Sequence, residues 1–182
     1  MYTRLCLASV VGCALLVLGG CDSTPKLESS LTTNEACLVH KNTFCIAKAH
    51  PSLPLVASAS FDTTVKIWEQ DSGRVVNNFE HPEGVPALDF SPDGKYLVTG
   101  SYDNLVRLWS IASGELIRTF KGHTNMVWGI AFSPDGQSFA SVGADDSIWL
   151  WTVKTGQGDK LGEHDGDAWG VTFSPDSQWV LS

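Results

Sequence analysis

Four of the five histidines in this 182-residue chain stand on one ruler. His40, His81, His123 and His164 step by 41, 42 and 41 residues, and each lies 18 residues before a hydroxyl: Ser58, Thr99, Ser141 and Ser182. Trp68, Trp109 and Trp151 keep the same step, six residues after Asp62, Asp103 and Asp145 and ten after the hydroxyl. Ser91-Pro92-Asp93-Gly94 returns as Ser133-Pro134-Asp135-Gly136 and, with its glycine lost, as Ser174-Pro175-Asp176-Ser177; Pro51 holds the corresponding place in the first copy. A fixed period of this length confines the chain to stacked copies of one small unit, because no single copy buries its own apolar face.

Between the markers the chain predicts short strands. VWGIAFS, KYLVTGS and NLVRLWS are rich in β-branched and aromatic residues and bounded by turn residues. Pro-Asp-Gly is a turn with a mechanism: proline presets φ, aspartate bonds the backbone beyond it, and glycine accepts positive φ. Beyond residue 20 no segment keeps a helical period, so the body is expected to be all-β.

The four markers in one register resemble the WD-repeat (Trp-Asp repeat) β-propeller family, over His40 to Ser182. The resemblance implies blades of four strands, with repeats near 40–80, 81–122 and 123–163 and a partial one over 164–182. It also implies a hydrogen-bonded His, Ser/Thr, Asp, Trp set inside each blade. The sets are His40-Ser58-Asp62-Trp68, His81-Thr99-Asp103-Trp109 and His123-Ser141-Asp145-Trp151, with His164 and Ser182 opening a fourth. The chain departs from the family in two places. Only Gly122-His123 keeps the Gly-His pair, and Glu69, Ser110 and Thr152 follow the tryptophans where aspartate is usual.

Ser, His and Asp in each repeat invite reading as a hydrolase triad. Three near-copies at one period point instead to structure, since an enzyme needs one site rather than one per blade. GxSxG, HExxH and a phosphate-cradling glycine loop are all missing from the sequence, as are CxxC and any Cys/His cluster. No catalytic residue, metal or cofactor is expected. His50, beside Pro51, reads as solvated, and Trp149, at the place of Lys66 and Arg107, as an exposed indole.

The resemblance places partner contacts on the loops before the first strand and between the second and third. Five residues after the repeat histidine stand Cys45, Pro86, Trp128 and Trp169; three after it stand Thr43, Gly84, Met126 and Asp167. Before the aspartate stand Phe61, Tyr102 and Ala144. Phe61, Tyr102, Met126, Trp128 and Trp169 are thus expected to line one face, where large aromatics act as interface anchors. The alternative is that they pack on neighbouring loops.

The N-terminus is of another kind. Arg4 is the one charge in residues 1–20, and Leu5 to Leu18 is an uncharged run, too short for a comfortable membrane span of roughly 20 residues. It ends in Leu18-Gly19-Gly20-Cys21, which resembles a bacterial lipobox. That implies a signal over 1–20 and lipidation of Cys21, with Asp22 resembling an inner-membrane retention signal. An ordinary secretory signal or an uncleaved anchor are the other readings. Residues 21–36 form a polar tether, spanning on the order of 22 Å if flexible, and the propeller is expected over 37–182. Cys37 and Cys45 could pair in an oxidising compartment or stand as two small buried hydrophobes. After residue 20 the chain holds 11 Lys and Arg against 20 Asp and Glu, so it lacks the basic footprint of a nucleic-acid binder.

The function implied is a membrane-tethered, extracytoplasmic scaffold for a protein partner. The alternatives are an enzyme or ligand-binding propeller whose site lies in blades not present, and an envelope-assembly factor that binds extended peptides. Closed propellers need at least about four blades. Three and a half repeats therefore suggest the N-terminal part of a longer propeller.

Overall fold

The computed structural model describes residues 40–42 and 44–182. The signal, Cys21, Asp22, the tether, Cys37 and Thr43 lie outside the described residues. Every regular element among them is a strand. The first sheet runs β1 (Phe44–Ala49), β2 (Leu55–Ser60), β3 (Thr64–Glu69), β4 (Val75–Glu80). The second runs β5 (Ala87–Phe90), β6 (Tyr96–Gly100), β7 (Leu105–Ser110), β8 (Leu116–Lys121). The third runs β9 (Val127–Phe132), β10 (Ser138–Gly143), β11 (Ser147–Thr152), β12 (Gly158–Glu163). β13 (Thr172–Phe173) and β14 (Val180–Leu181) pair as a fourth, two-stranded sheet. All pairings are antiparallel between sequence neighbours, the meander of a propeller blade.

Blades stack in chain order through their first strands: β5 lies against β1, β9 against β5, and β13 against β9. Middle strands are buried on both faces because each is sandwiched between neighbouring blades. β2 and β6 consequently lose the strict in-out alternation of a one-sided sheet. One apolar cluster joins the first two blades, with Ile67 and Phe79 against Leu88, Leu97 and Trp109. A second joins the second blade to the third, with Val98 and Phe120 against Phe132, Phe139 and Trp151. Asp89, on β5, ties three blades: it accepts the Phe132 N–H of β9 (2.8 Å) and pairs with Lys48 of β1 (3.4 Å).

The Ser-Pro-Asp-Gly turns join the first strand of a blade to the second. Ser91 Oγ donates to Asp93 (2.7 Å), Asp93 accepts the Lys95 N–H (3.1 Å), and the Gly94 N–H closes on the Ser91 carbonyl (2.8 Å). Gly94 and Gly136 sit at φ +70°, which only glycine adopts without cost. Ser177 keeps the turn without glycine: it sits at φ +60° and its N–H closes on the Ser174 carbonyl (2.9 Å). The hydrogen-bonded frame of Ser174 and Asp176 therefore outweighs a backbone penalty of about 1–2 kcal/mol.

Candidate interaction face and the tetrads beneath it

The third blade holds a complete hydrogen-bonded set. The Trp151 indole N–H donates to Ser141 Oγ (2.8 Å), which lies 2.8 Å from His123 Nε2. His123 Nδ1 faces Asp145 (2.9 and 3.1 Å). A carboxylate only accepts, so Nδ1 carries the proton and Nε2 accepts the Ser141 O–H. Asp145 also accepts the Thr124 N–H (2.7 Å) and the Ser147 hydroxyl (2.7 Å). Burial pushes its carboxyl up, but the bonds from Ser147, His123 and Thr124 outweigh this and hold it at about 2. Burial lowers the His123 pKa, against the pull of Asp145.

The other two sets are each one bond short of the expectation. In the first blade His40 faces Asp62 (3.1 Å) and Ser58 (2.8 Å), but the Trp68 indole N–H is buried without an acceptor. Trp109 and Trp151 are each clamped by a phenylalanine from the preceding blade's fourth strand, Phe79 at 4.9 Å and Phe120 at 5.5 Å. In the second blade Trp109 donates to Thr99 (3.0 Å) and Thr99 meets His81 Nε2 (2.9 Å), but Asp103 does not reach His81. Arg107 takes both Asp103 oxygens (3.1 and 2.6 Å). Position 105 is leucine, whereas Thr64 and Ser147, its counterparts, offer hydroxyls to their histidines (3.1 and 3.2 Å). His81 Nδ1 is left buried and unpartnered, and burial, aided by Arg107, pushes the imidazole down to about 4. In the partial blade His164 meets Ser182 at 2.7 Å.

These sets serve the interior. Ser58, Thr99 and Ser141 are essentially inaccessible, and each hydroxyl is committed to its imidazole. A nucleophile needs a substrate-facing oxygen, which none of them presents.

Two single residues depart from expectation. His50 is buried, not solvated (7% exposed). It precedes Pro51 as Ser91 precedes Pro92, and that shared place was the signal available in the sequence. Its Nδ1 accepts the Ser52 and Leu53 N–H groups (3.2 and 3.0 Å), so Nε2 carries the proton and donates to the Gly94 carbonyl (2.9 Å). It pins the first blade to the second blade's turn. Trp149 is half-buried, not exposed: its ring stacks on Trp151 (5.0 Å, 12°) and its N–H donates to Ser147 (2.9 Å). Neighbouring β11 side chains on one face give it that partner.

Above the tetrads the loops bring four of the five expected face residues into one row. Phe61 sits in the β2–β3 turn, Tyr102 in the β6–β7 turn, Trp128 at the start of β9 and Trp169 before β13. Phe61 meets Tyr102 edge-on (5.2 Å), Tyr102 meets Trp128 edge-on (5.1 Å), and Trp128 stacks on Trp169 (4.8 Å, 29°). Each step crosses from one blade to the next. The turn before β5 shapes one end: the Gly84 carbonyl accepts the Tyr102 N–H (2.9 Å), and Phe61 lies against the Gly84 backbone. Met126 stands two residues before Trp128, half-buried, its carbonyl accepting the Ala144 N–H (2.9 Å). Phe61, Tyr102 and Trp128 are half-buried by the row itself, while Trp169 is 66% exposed. Burial pushes the Tyr102 hydroxyl up, so the row is uncharged at neutral pH.

The comparisons agree with this architecture. The WD domain, G-beta repeat family matches residues 33–69, 73–110, 114–152 and 157–182, more than half of the chain. Its unit is staggered against the sheets: the match over 73–110 begins with β4 of one blade and continues through β5 to β7 of the next. Eukaryotic translation initiation factor 3 subunit I of Pyricularia oryzae is 34% identical over 59 residues, 32% of this chain and 17% of that protein. Human Coronin-7 is 37% identical over 76 residues, 40% of this chain and 8% of that protein. The chain thus covers under a fifth of the length of these relatives. Among solved structures, that of U3-55K superposes with a TM-score of 0.70 at 26% identity, covering 72% of this chain and 43% of that one. By repeat register, blade topology and sequence match, the chain belongs to the WD domain, G-beta repeat family.

Proposed function

We propose that this protein is an interaction scaffold that binds a protein partner across Phe61, Tyr102, Met126, Trp128 and Trp169. WD-repeat proteins generally act as such scaffolds. The observation that carries the reading here is the continuous aromatic row, four rings in contact across three blade boundaries. Exposing a large aromatic beside others is costly, and such clusters anchor interfaces. Tyr102→Ala and Trp128→Ala are each expected to weaken partner capture by at least tenfold while circular dichroism stays that of the parent chain. Unchanged capture by folded variants would place the interface elsewhere.

The scaffold is proposed to work at a membrane on the extracytoplasmic side, held by lipid on Cys21, with Asp22 favouring the inner membrane. The lipobox-like Leu18-Gly19-Gly20-Cys21 supports this. The chain would then display rigid loops within reach of the bilayer, and the lipid would confine its search to that surface. In a bacterial host, Cys21→Ser is expected to abolish incorporation of a palmitate analogue. Full labelling of the serine variant would remove the tether from this account.

A further inference from the structure

We propose that the aromatic row takes an extended, cationic peptide segment, one bearing arginine or lysine; this rests on the interaction face proposed above. The first argument is shape. Centroid steps of 5.2, 5.1 and 4.8 Å lay four rings end to end across blade boundaries. That path is at most roughly 15 Å, the reach of four or five extended residues at about 3.3 Å each. A row of this form fits a strand-like segment better than a broad folded surface.

The second argument is charge. The exposed carboxylates on the loops that carry the row are Glu83, beside the Phe61 and Tyr102 end, and Asp165 and Asp167, beside Trp169. Asp165, Asp167 and Trp169 border one open concavity whose lining holds no lysine or arginine. The aspartates directly following Phe61 and Tyr102 are already engaged, Asp62 by His40 and Asp103 by Arg107. Asp103 is neutralised by that pairing, and neither aspartate competes for a ligand. Lys41 is the exposed cation on the described part of these loops, and it lies by the repeat start of the first blade, away from Trp169.

Aromatic faces attract cations, and arginine most often, through the ring quadrupole; flanking carboxylates strengthen that attraction and repel acidic segments. Trp169 has Asp165 and Asp167 beside it on the same concavity, so it is the expected seat of the guanidinium or ammonium group. Tyr102 and Phe61 then cover the apolar stems of the same segment.

The test uses the full chain in detergent and three seven-residue probes: Gly-Arg-Gly-Arg-Gly-Arg-Gly, the same peptide with citrulline for arginine, and the same with glutamate. Binding is followed by tryptophan fluorescence and by calorimetry. The arginine probe is expected to bind at least tenfold more tightly than the citrulline probe, and the glutamate probe not at all. Trp169→Ala should reduce arginine-probe affinity about tenfold. Asp165→Asn with Asp167→Asn should reduce both that affinity and its dependence on salt. Equal binding of the arginine and citrulline probes overturns the proposal. So does an arginine preference untouched by Trp169→Ala in a chain with parental circular dichroism. If no probe binds, yet Tyr102→Ala still abolishes partner capture, the cationic class falls and the interaction face stands.

Discussion

Trp151→Ala is expected to lower the stability of the chain by about 4–5 kcal/mol, the upper range for loss of a buried aromatic. Trp151 is 2% exposed and touches the rings of Phe120 (5.5 Å), Phe139 (6.4 Å) and Trp149 (5.0 Å). Its slot is cut to the indole: a Cβ on Gly158 would stand 2.1 Å from the ring. Losing the indole leaves a cavity among packed rings, and domains of this kind have only about 5–15 kcal/mol in all. The subtler pair is Trp151→Phe against Trp68→Phe. Both remove similar ring volume, but only Trp151 gives its N–H to a hydroxyl, while the Trp68 N–H has no acceptor. The first should therefore cost about 1 kcal/mol more than the second. Urea unfolding followed by circular dichroism measures both. Equal costs would mean that the bond from Trp151 to Ser141 contributes nothing net.

That contrast also marks what the sequence could and could not carry. The histidine steps gave the blades because a repeat of fixed length must fold into equivalent units. The positions of the row were legible too, since Phe61 and Tyr102 directly precede Asp62 and Asp103 while Trp128 and Trp169 stand five residues after His123 and His164, and the structure joins the four rings into one row. What register does not encode is competition among side chains at equivalent places. Arg107 draws Asp103 away from His81, and Leu105 removes the hydroxyl that Ser147 supplies in the next blade. Both exchanges are visible as letters, but which bond wins depends on geometry at the level of one ångström. His50 and Trp149 follow the same logic in reverse. A residue out of pattern was expected to face solvent, whereas each found a partner in a slot built for another type.

Lowering the pH from 6.5 to 4 is expected to remove on the order of 3 kcal/mol of stability through His81 alone. In the folded chain this imidazole is held at about 4, first by burial and then by Arg107, against an ordinary value of 6.5. Between those values the unfolded chain binds a proton that the folded chain refuses. Stability is thus complete above pH 6.5, declines through the window, and is fully lost from this source below pH 4. Burial also lowers His40 and His123, so they act in the same direction. Their aspartates resist by favouring the protonated ring, whereas His81 lacks such a partner and has Arg107 nearby. The steepest share of the decline should therefore belong to His81. His81→Gln is expected to flatten the slope of unfolding free energy against pH between 6.5 and 4, whatever it does to stability at pH 7. His123→Gln should flatten it less. Below pH 4 a further loss should set in, because the unfolded chain takes a proton near 3.8 that the folded chain, with Asp145 held at about 2, still refuses. If the His81→Gln and parent chains show parallel slopes, the His81 imidazole is not the acid-sensitive element, and the loss in that window must be traced to His40 and His123 instead.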